Sequence, residues 1–202
     1  MKNIKLLLIF ATIAAMFCTV FSGCGTSEKS AEQYARFEME NGGVFYIELY
    51  PQYAPDTVEN FKKLVSEGFY DGIIFHRVET GMLIQGGDPD GDGYGGSDTK
   101  INGEFPSNGF SKNTLKHTPG VISMARTSDP NSATSQFFIC VSALPSLDGD
   151  YAAFGKVISG MDVINEIGNC DVRGSTPVIP QRIKSATLVS KDEPFDTNIK
   201  EK

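Results

Sequence analysis

Two apolar runs in this chain carry polar residues where a buried strand would not hold them. Ile74-Phe75-His76-Arg77-Val78 leads on to Leu83-Ile84-Gln85-Gly86-Gly87-Asp88, and Ser135-Gln136-Phe137-Phe138-Ile139 follows later. β-Branched and aromatic residues make these runs strands, and side chains two apart on a strand share a face. That spacing pairs Phe75 with Arg77, Leu83 with Gln85, and Gln136 with Phe138. Burying Arg or Gln without a partner costs ~1 to 3 kcal/mol or more. A face that mixes them with Phe and Leu therefore suits a shallow, partly wetted groove better than a core.

The rest of the body also reads mainly as strands. Ala35 to Met39 and Val44 to Leu49 alternate about Asn41-Gly42-Gly43, a strong hairpin signal. Pro55 and Asp56 open one clear helix, whose apolar stripe is Val58, Phe61, Leu64 and Val65 and which Gly68 closes. A second short helix is expected from Met161 to Ile167. Few helices among many short strands point to a mainly β fold, a closed barrel with helices covering its ends, because closure removes exposed edges. At 40% hydrophobic residues, a chain of 202 can fill one core.

The ends differ from this body. Lys2 and Lys5 precede an uncharged stretch from Leu6 to Val20, a charged n-region and an apolar h-region of signal-peptide length. It falls short of the roughly 20 apolar residues of a membrane span. Phe21-Ser22-Gly23-Cys24 resembles the bacterial lipobox, in which small residues precede a cysteine that is lipidated and becomes the new N-terminus. The expected division is a leader over 1–23, a small, polar, flexible tether over 24–33 after lipidated Cys24, one domain over 34–190, and a polar tail over 191–202. Two acyl chains on Cys24 suffice for stable anchoring where one is marginal. The domain would then lie outside the cytoplasm, tied to the bacterial cell membrane by lipid.

Charge and motifs narrow the function. Removing residues 1–23 takes Lys2 and Lys5 but no acid, which brings the formal charge from −7 to −9. So acidic a protein is a poor nucleic-acid binder. Gly91-Asp92-Gly93-Tyr94-Gly95-Gly96 matches G-x-G-x-x-G but leads into Ser97-Asp98-Thr99-Lys100 and not a helix, so dinucleotide binding is not expected. Asp88, Asp90 and Asp92 imitate the start of a calcium loop, but Thr99 stands where its bidentate Glu belongs, and a surface turn is the simpler reading. His76 and His117 are too few and too far apart for a standard metal cluster, and counting by twos sets His76 opposite Arg77 as a structural residue. No G-x-S-x-G elbow or C-x-x-C pair supports a hydrolase or redox enzyme. Cys140 reads as a small buried hydrophobe, and its pairing with Cys170 is left open.

The two opening segments resemble the cyclophilin family of peptidyl-prolyl isomerases, with its Phe-His-Arg strand, Gln-Gly-Gly-Asp turn and Ser-Gln-Phe-Phe-Ile strand. The resemblance runs on through Phe69-Tyr70-Asp71-Gly72, Gly103-Glu104-Phe105, Lys116-His117-Thr118-Pro119-Gly120, Ser123-Met124-Ala125-Arg126, Leu147-Asp148-Gly149 and Phe154-Gly155-Lys156-Val157. It implies a closed eight-stranded antiparallel β-barrel capped by two α-helices, working without cofactor or metal, as a monomer, on proline-containing polypeptides. By the same resemblance Arg77 is the catalytic cation, oriented by Gln85 and Gln136. Phe138, Leu83, Met82 and Leu147 form the proline slot, joined by Phe75 and Tyr151, and the main chain at Ala125 and Arg126 docks the substrate.

Four positions depart from the best-known eukaryotic members. Met82 replaces a Phe, Arg126 an Asn and Tyr151 a His. Ser146 replaces a Trp, which removes an indole from the rim and implies weakened binding of the macrocycle cyclosporin. A noncatalytic proline-peptide-binding chaperone or adaptor, or a structural lipoprotein reusing the fold, are the rival readings. Intact Arg77, Phe138 and both glutamines argue against them.

Overall fold

The computed structural model describes residues 33–190. The expected leader, Cys24, the tether as far as 32 and the tail from 191 lie outside the described residues. Within them, β1 (Tyr34–Met39) and β2 (Val44–Leu49) form the hairpin written in Asn41-Gly42-Gly43, where the Asn41 side chain accepts the Gly43 N–H at 3.0 Å. Then follow α1 (Pro55–Ser66), β3 (Ile74–Phe75), β4 (Arg77–Glu79), β5 (Leu83–Gly86), β6 (Val121–Met124), β7 (Phe137–Cys140), β8 (Ala153–Ser159), α2 (Met161–Gly168), the short β9 (Val172–Arg173) and β10 (Thr176–Pro177), and β11 (Gln181–Val189).

One antiparallel sheet runs in the order β3-β11-β1-β2-β8-β6-β7-β5-β4. Its two ends, β3 and β4, are separated in sequence by His76 alone, so the sheet returns on itself as a nearly closed barrel. Taking β3 and β4 as one interrupted strand recovers the expected eight. β9 and β10 pair separately.

The barrel is filled by rings. Phe37, Phe45, Phe61, Tyr70, Phe75, Phe137 and Phe154 are all fully buried. Phe61, from the predicted stripe of α1, stands with its centroid 5.1 Å from Phe154, 5.3 Å from Tyr70 and 5.9 Å from Phe137. Offset and edge-to-face arrangements of this kind suit the ring quadrupoles. α2 adds Val163, Ile164 and Ile167 to the same core. On β7 the alternation sends Phe137 and Ile139 into this core. Phe138 and Cys140 go to a second apolar cluster with Leu83, Val121, Leu144 and Ala153 on the outer face. Every residue of β6 and β7 is thus buried, which explains the unbroken apolar run of β7 and leaves Ser123 as the one polar residue of β6.

The start of α1 needs help from elsewhere. Its N-cap position is Ala54, which offers no side-chain acceptor, so the first turn's N–H groups would be left unpaired. Glu104, almost fully buried, supplies the acceptors: Oε1 receives the Asp56 N–H at 3.1 Å, and Oε2 receives the Thr57 N–H at 2.8 Å and the Thr57 hydroxyl at 2.6 Å. A carboxylate there also complements the positive end of the helix dipole. Glu104→Ala removes all three bonds and is expected to cost on the order of 3 kcal/mol. Urea unfolding of the variant against the native domain measures it.

Candidate active site

Register brings the polar residues of the opening segments into one row. Arg77 on β4 lies opposite Gln85 on β5, Gln85 opposite Phe138 on β7, and Phe138 opposite Ser123 on β6. Directly opposed residues share a face, so this row crosses four strands on the outside of the barrel. Arg77 Nη1 donates to Gln85 Oε1 at 3.0 Å, Gln85 Nε2 donates to Gln136 Oε1 at 2.8 Å, and Gln136 Nε2 donates to the Gly93 and Gly95 carbonyls at 3.1 and 2.8 Å. The relay has one direction. A guanidinium can only donate and a backbone carbonyl can only accept, which fixes both amides between them.

Glu79 completes the setting of Arg77, with Oε1 2.9 Å from Nη2. Both side chains are about two-fifths exposed, so the pair adds little stability, but it fixes the guanidinium plane from a second side. Nε and the second N–H of each terminal nitrogen remain for a ligand. The cation was legible in the sequence; Glu79 was not singled out, although it shares the face of Arg77 two residues on.

Beside the guanidinium lies a groove of about 390 Å³, lined by Arg77, Glu79, Met82, Leu83, Gln85, Ala125, Arg126, Phe138, Leu144, Ser146, Leu147 and Tyr151. The structure therefore brings together Arg77, Gln85, Phe138, Met82, Leu83, Ala125, Arg126, Leu147 and Tyr151 of the residues picked from sequence, and adds Leu144. Phe138 forms the floor, with Tyr151 edge-on to it at 5.7 Å. Met82 is 48% exposed, an adaptable apolar wall. Gln136 stands behind Gln85 and lines an adjoining cavity of about 440 Å³ with the Gly93–Ser97 turn, Lys100 and Thr127.

Phe75 is placed elsewhere, which corrects its assignment to the groove. It is fully buried inside the barrel, edge-on to Phe137 at 6.0 Å. The count by twos fails because β3 pairs with β11 whereas β4 pairs with β5, so the alternation restarts across His76.

Arg126 does more than lend its main chain. Ala125 gives its N–H to the Gln136 carbonyl at 2.9 Å, extending the β6–β7 ladder, so that N–H is already engaged within the barrel. The Arg126 side chain lies 4.6 Å over Tyr151 and 5.1 Å over Phe105, and donates to the Asp150 carbonyl from Nε and Nη2 and to the Thr127 carbonyl from Nη1. It ties together the two segments that flank the groove's open side, where Ser146 supplies no large side chain.

The aspartates of the supposed calcium loop serve the turn itself. Asp88 is buried and accepts the N–H of Asp90 at 2.9 Å and of Gly93 at 2.6 Å, and these bonds hold its pKa below the usual carboxylate value against the opposing effect of burial. Gly87 has φ +85°, and any side chain there would collide with the Ser135 carbonyl, which accounts for the paired glycines of the motif. Cys140 and Cys170 are free thiols, and burial pushes that of Cys140 up to about 12.

Residues 34–188 match the family model described as cyclophilin type peptidyl-prolyl cis-trans isomerase/CLD. A peptidyl-prolyl cis-trans isomerase of Schizosaccharomyces pombe is 44% identical over 152 residues, 73% of this chain and 94% of the relative. Isomerase B of Bacillus subtilis is 43% identical over 136 residues, 67% of this chain and 91% of the relative. Among solved structures, a Cryptosporidium parvum cyclophilin type isomerase crystallised in the presence of the dipeptide Ala-Pro superposes with a TM-score of 0.70 at 36% identity, covering 78% of this chain and 99% of that one.

The break at His76 carries its own pH dependence. Both ring nitrogens are buried without a hydrogen-bond partner among the described residues. Burial lowers the His76 pKa below 6.5, with Arg77 acting in the same sense and Asp88 and Asp92 opposing. Below pH 6.5 the unfolded chain takes up a proton that the folded one refuses, so this contribution is intact above 6.5 and is lost as pH falls through the lowered value. The melting temperature is expected to drop between pH 7 and 5, and to drop less in His76→Leu. Thermal melts across that range decide it.

Proposed function

The chain belongs to the cyclophilin-type peptidyl-prolyl cis-trans isomerases and catalyses rotation about X-Pro bonds, and we propose that Arg77, held by the Gln85–Gln136 relay beside the Phe138 slot, is the group that lowers the barrier. That barrier is ~18 to 20 kcal/mol, because resonance gives the C–N bond partial double-bond character. Rotation requires the prolyl nitrogen to leave conjugation and recover its lone pair. An N–H of the Arg77 guanidinium donated to that lone pair meets a poor acceptor in the planar amide and a good one in the twisted amide. The interaction therefore strengthens towards the transition state.

One charge-assisted hydrogen bond supplies ~1.5 to 3 kcal/mol, roughly ten- to a hundredfold. The pocket contributes the rest. Phe138, Leu83, Met82 and Leu147 hold the pyrrolidine ring, so that rotation is confined to the peptide on one side of the bond. Water excluded from the slot leaves the field of Arg77 less screened. The relay's value lies in direction: a flexible cation would spend its freedom at the moment of reaction, whereas this one is oriented beforehand.

The same reading sets the enzyme outside the cytoplasm, acting on exported proteins as they fold and held to the cell membrane through lipidated Cys24. The Lys2 and Lys5 n-region, the uncharged stretch to Val20 and the small residues before Cys24 support it.

Two experiments test these proposals. Gln85→Leu keeps the volume of the site but cuts the relay, and is expected to lower kcat about tenfold with peptide Kd unchanged. A peptide isomerisation assay with parallel calorimetric binding reads both, and an unchanged kcat contradicts the assigned role. Expressed in a bacterium, the full chain is expected in the detergent-soluble membrane fraction and Cys24→Ala in the soluble fraction. An equal distribution contradicts the anchor.

A further inference from the structure

A third apolar cluster lies outside the barrel, away from the groove. Tyr34 on β1, Tyr46 on β2 and Val189 on β11 form it, with Val44 packed beside them. These side chains point outwards, since their strand neighbours Ala35, Phe45, Ile47 and Leu188 belong to the core. An outward position on this sheet is not buried as a matter of course: Thr187, two residues before Val189 on the same face, is exposed. Yet Tyr34 is 7%, Tyr46 4% and Val189 6% exposed. Neither helix accounts for this, because α1 and α2 both turn their buried apolar residues into the core. Two phenol rings so well covered on an outer face call for a cover, and burial rises from Thr187 to Val189, towards the end of β11.

We propose that the segment following β11, residues 191–202, folds back over this cluster and seats Phe195 on Tyr34 and Tyr46. Val189 pairs with Tyr34, so the chain enters and leaves the barrel beside the patch. Of the two segments that meet there, 24–32 holds only small, polar and charged residues, whereas 191–202 holds Pro194, Phe195 and Ile199. Reach is sufficient. Six residues from Val189 to Phe195 extend up to about 20 Å, while Tyr46, two strands across and two residues along, lies on the order of 12 Å from Val189. Pro194 suits the reversal that brings Phe195 back over the sheet. Charge agrees: Asp192, Glu193 and Asp196 flank Phe195, and Arg36, directly opposite Tyr46, has five guanidinium donors of which its ion pair with Glu38 takes one. Lys191 likewise matches Glu48, the neighbour of Tyr34 across the β1–β2 ladder. The segment thereby keeps an aromatic patch from serving as a self-association surface. With β3 and β4 counted as one strand, β1 lies four strands from β7 in either direction round the barrel, so this inference stands apart from the isomerase reading.

The chain contains no tryptophan, so Phe195→Trp places a single reporter in the segment. In the full chain its emission is expected at shorter wavelength than after urea unfolding, with acrylamide quenching it several-fold less. Adding Tyr46→Ser is expected to move the emission back towards the unfolded position. A second reading leaves Phe195 and Tyr46 in place. Treatment with tetranitromethane followed by peptide mass spectrometry is expected to nitrate Tyr34 and Tyr46 about tenfold faster once residues 191–202 are removed, the factor that uncovering an aromatic ring implies. Emission at the unfolded wavelength in the folded chain, or equal nitration with and without the segment, overturns the proposal. Protection that depends on protein concentration assigns the patch to a second copy of the chain. Protection that appears only with phosphatidylglycerol vesicles assigns it to lipid, and either result overturns the proposal as well.

Discussion

Ring packing inside the barrel is the constraint from which the rest follows. Phe61 of α1 enters among Phe37, Tyr70, Phe137 and Phe154, and the interior is closed to any ligand. Binding must then occur on the outside, where a β-sheet normally shows water an alternation of polar side chains. Here the outer face of β5, β6 and β7 carries Leu83, Val121, Phe138 and Cys140 as well as Gln85 and Ser123. A second, shallower apolar cluster forms there, roofed on one side by the segment that brings Leu144, Leu147 and Tyr151. The groove is what that roof leaves uncovered.

The site's polar groups are linked by hydrogen bonds at both ends of the row. Arg77, Gln85 and Gln136 terminate on the carbonyls of the Gly93–Gly95 turn, and that turn is built on Asp88 beneath it. At the other end, Ser123, His117 and Asp148 terminate on the rim loop. Phe138 lies between the two networks. Each network is satisfied within the protein, so a ligand meets groups whose directions are already set, and the entropy of orienting them is met on folding and not at the moment of binding.

Much of this was legible in the sequence because the groove residues sit on regular strands. Leu83 with Gln85 and Gln136 with Phe138 fall on one face, as a period of two requires, and the stripe of α1 falls where a period of 3.6 puts it. The misplacement of Phe75 has the same origin: His76 interrupts the ladder, and a periodicity cannot be counted through a break that only the pairing partners reveal. Glu104 capping a helix whose first turn lies 48 residues earlier, and Asp148 meeting His117 31 residues earlier, leave no local pattern at all. The sequence assigns Arg126 a part only through its main chain; its side chain over Tyr151 depends on two loops converging, and no spacing encodes that.

The central claim is that Arg77 acts on the twisting amide and not on affinity. Exchange NMR of a proline peptide in the presence of the native domain and of Arg77→Ala gives the cis-trans rate on the enzyme and the Kd in one experiment. The account predicts a bound peptide in Arg77→Ala with native-like Kd and an interconversion rate lowered by about tenfold or more. A variant that binds weakly yet interconverts its bound peptide at the native rate would contradict it, and would make Arg77 an anchor for the substrate rather than the source of catalysis.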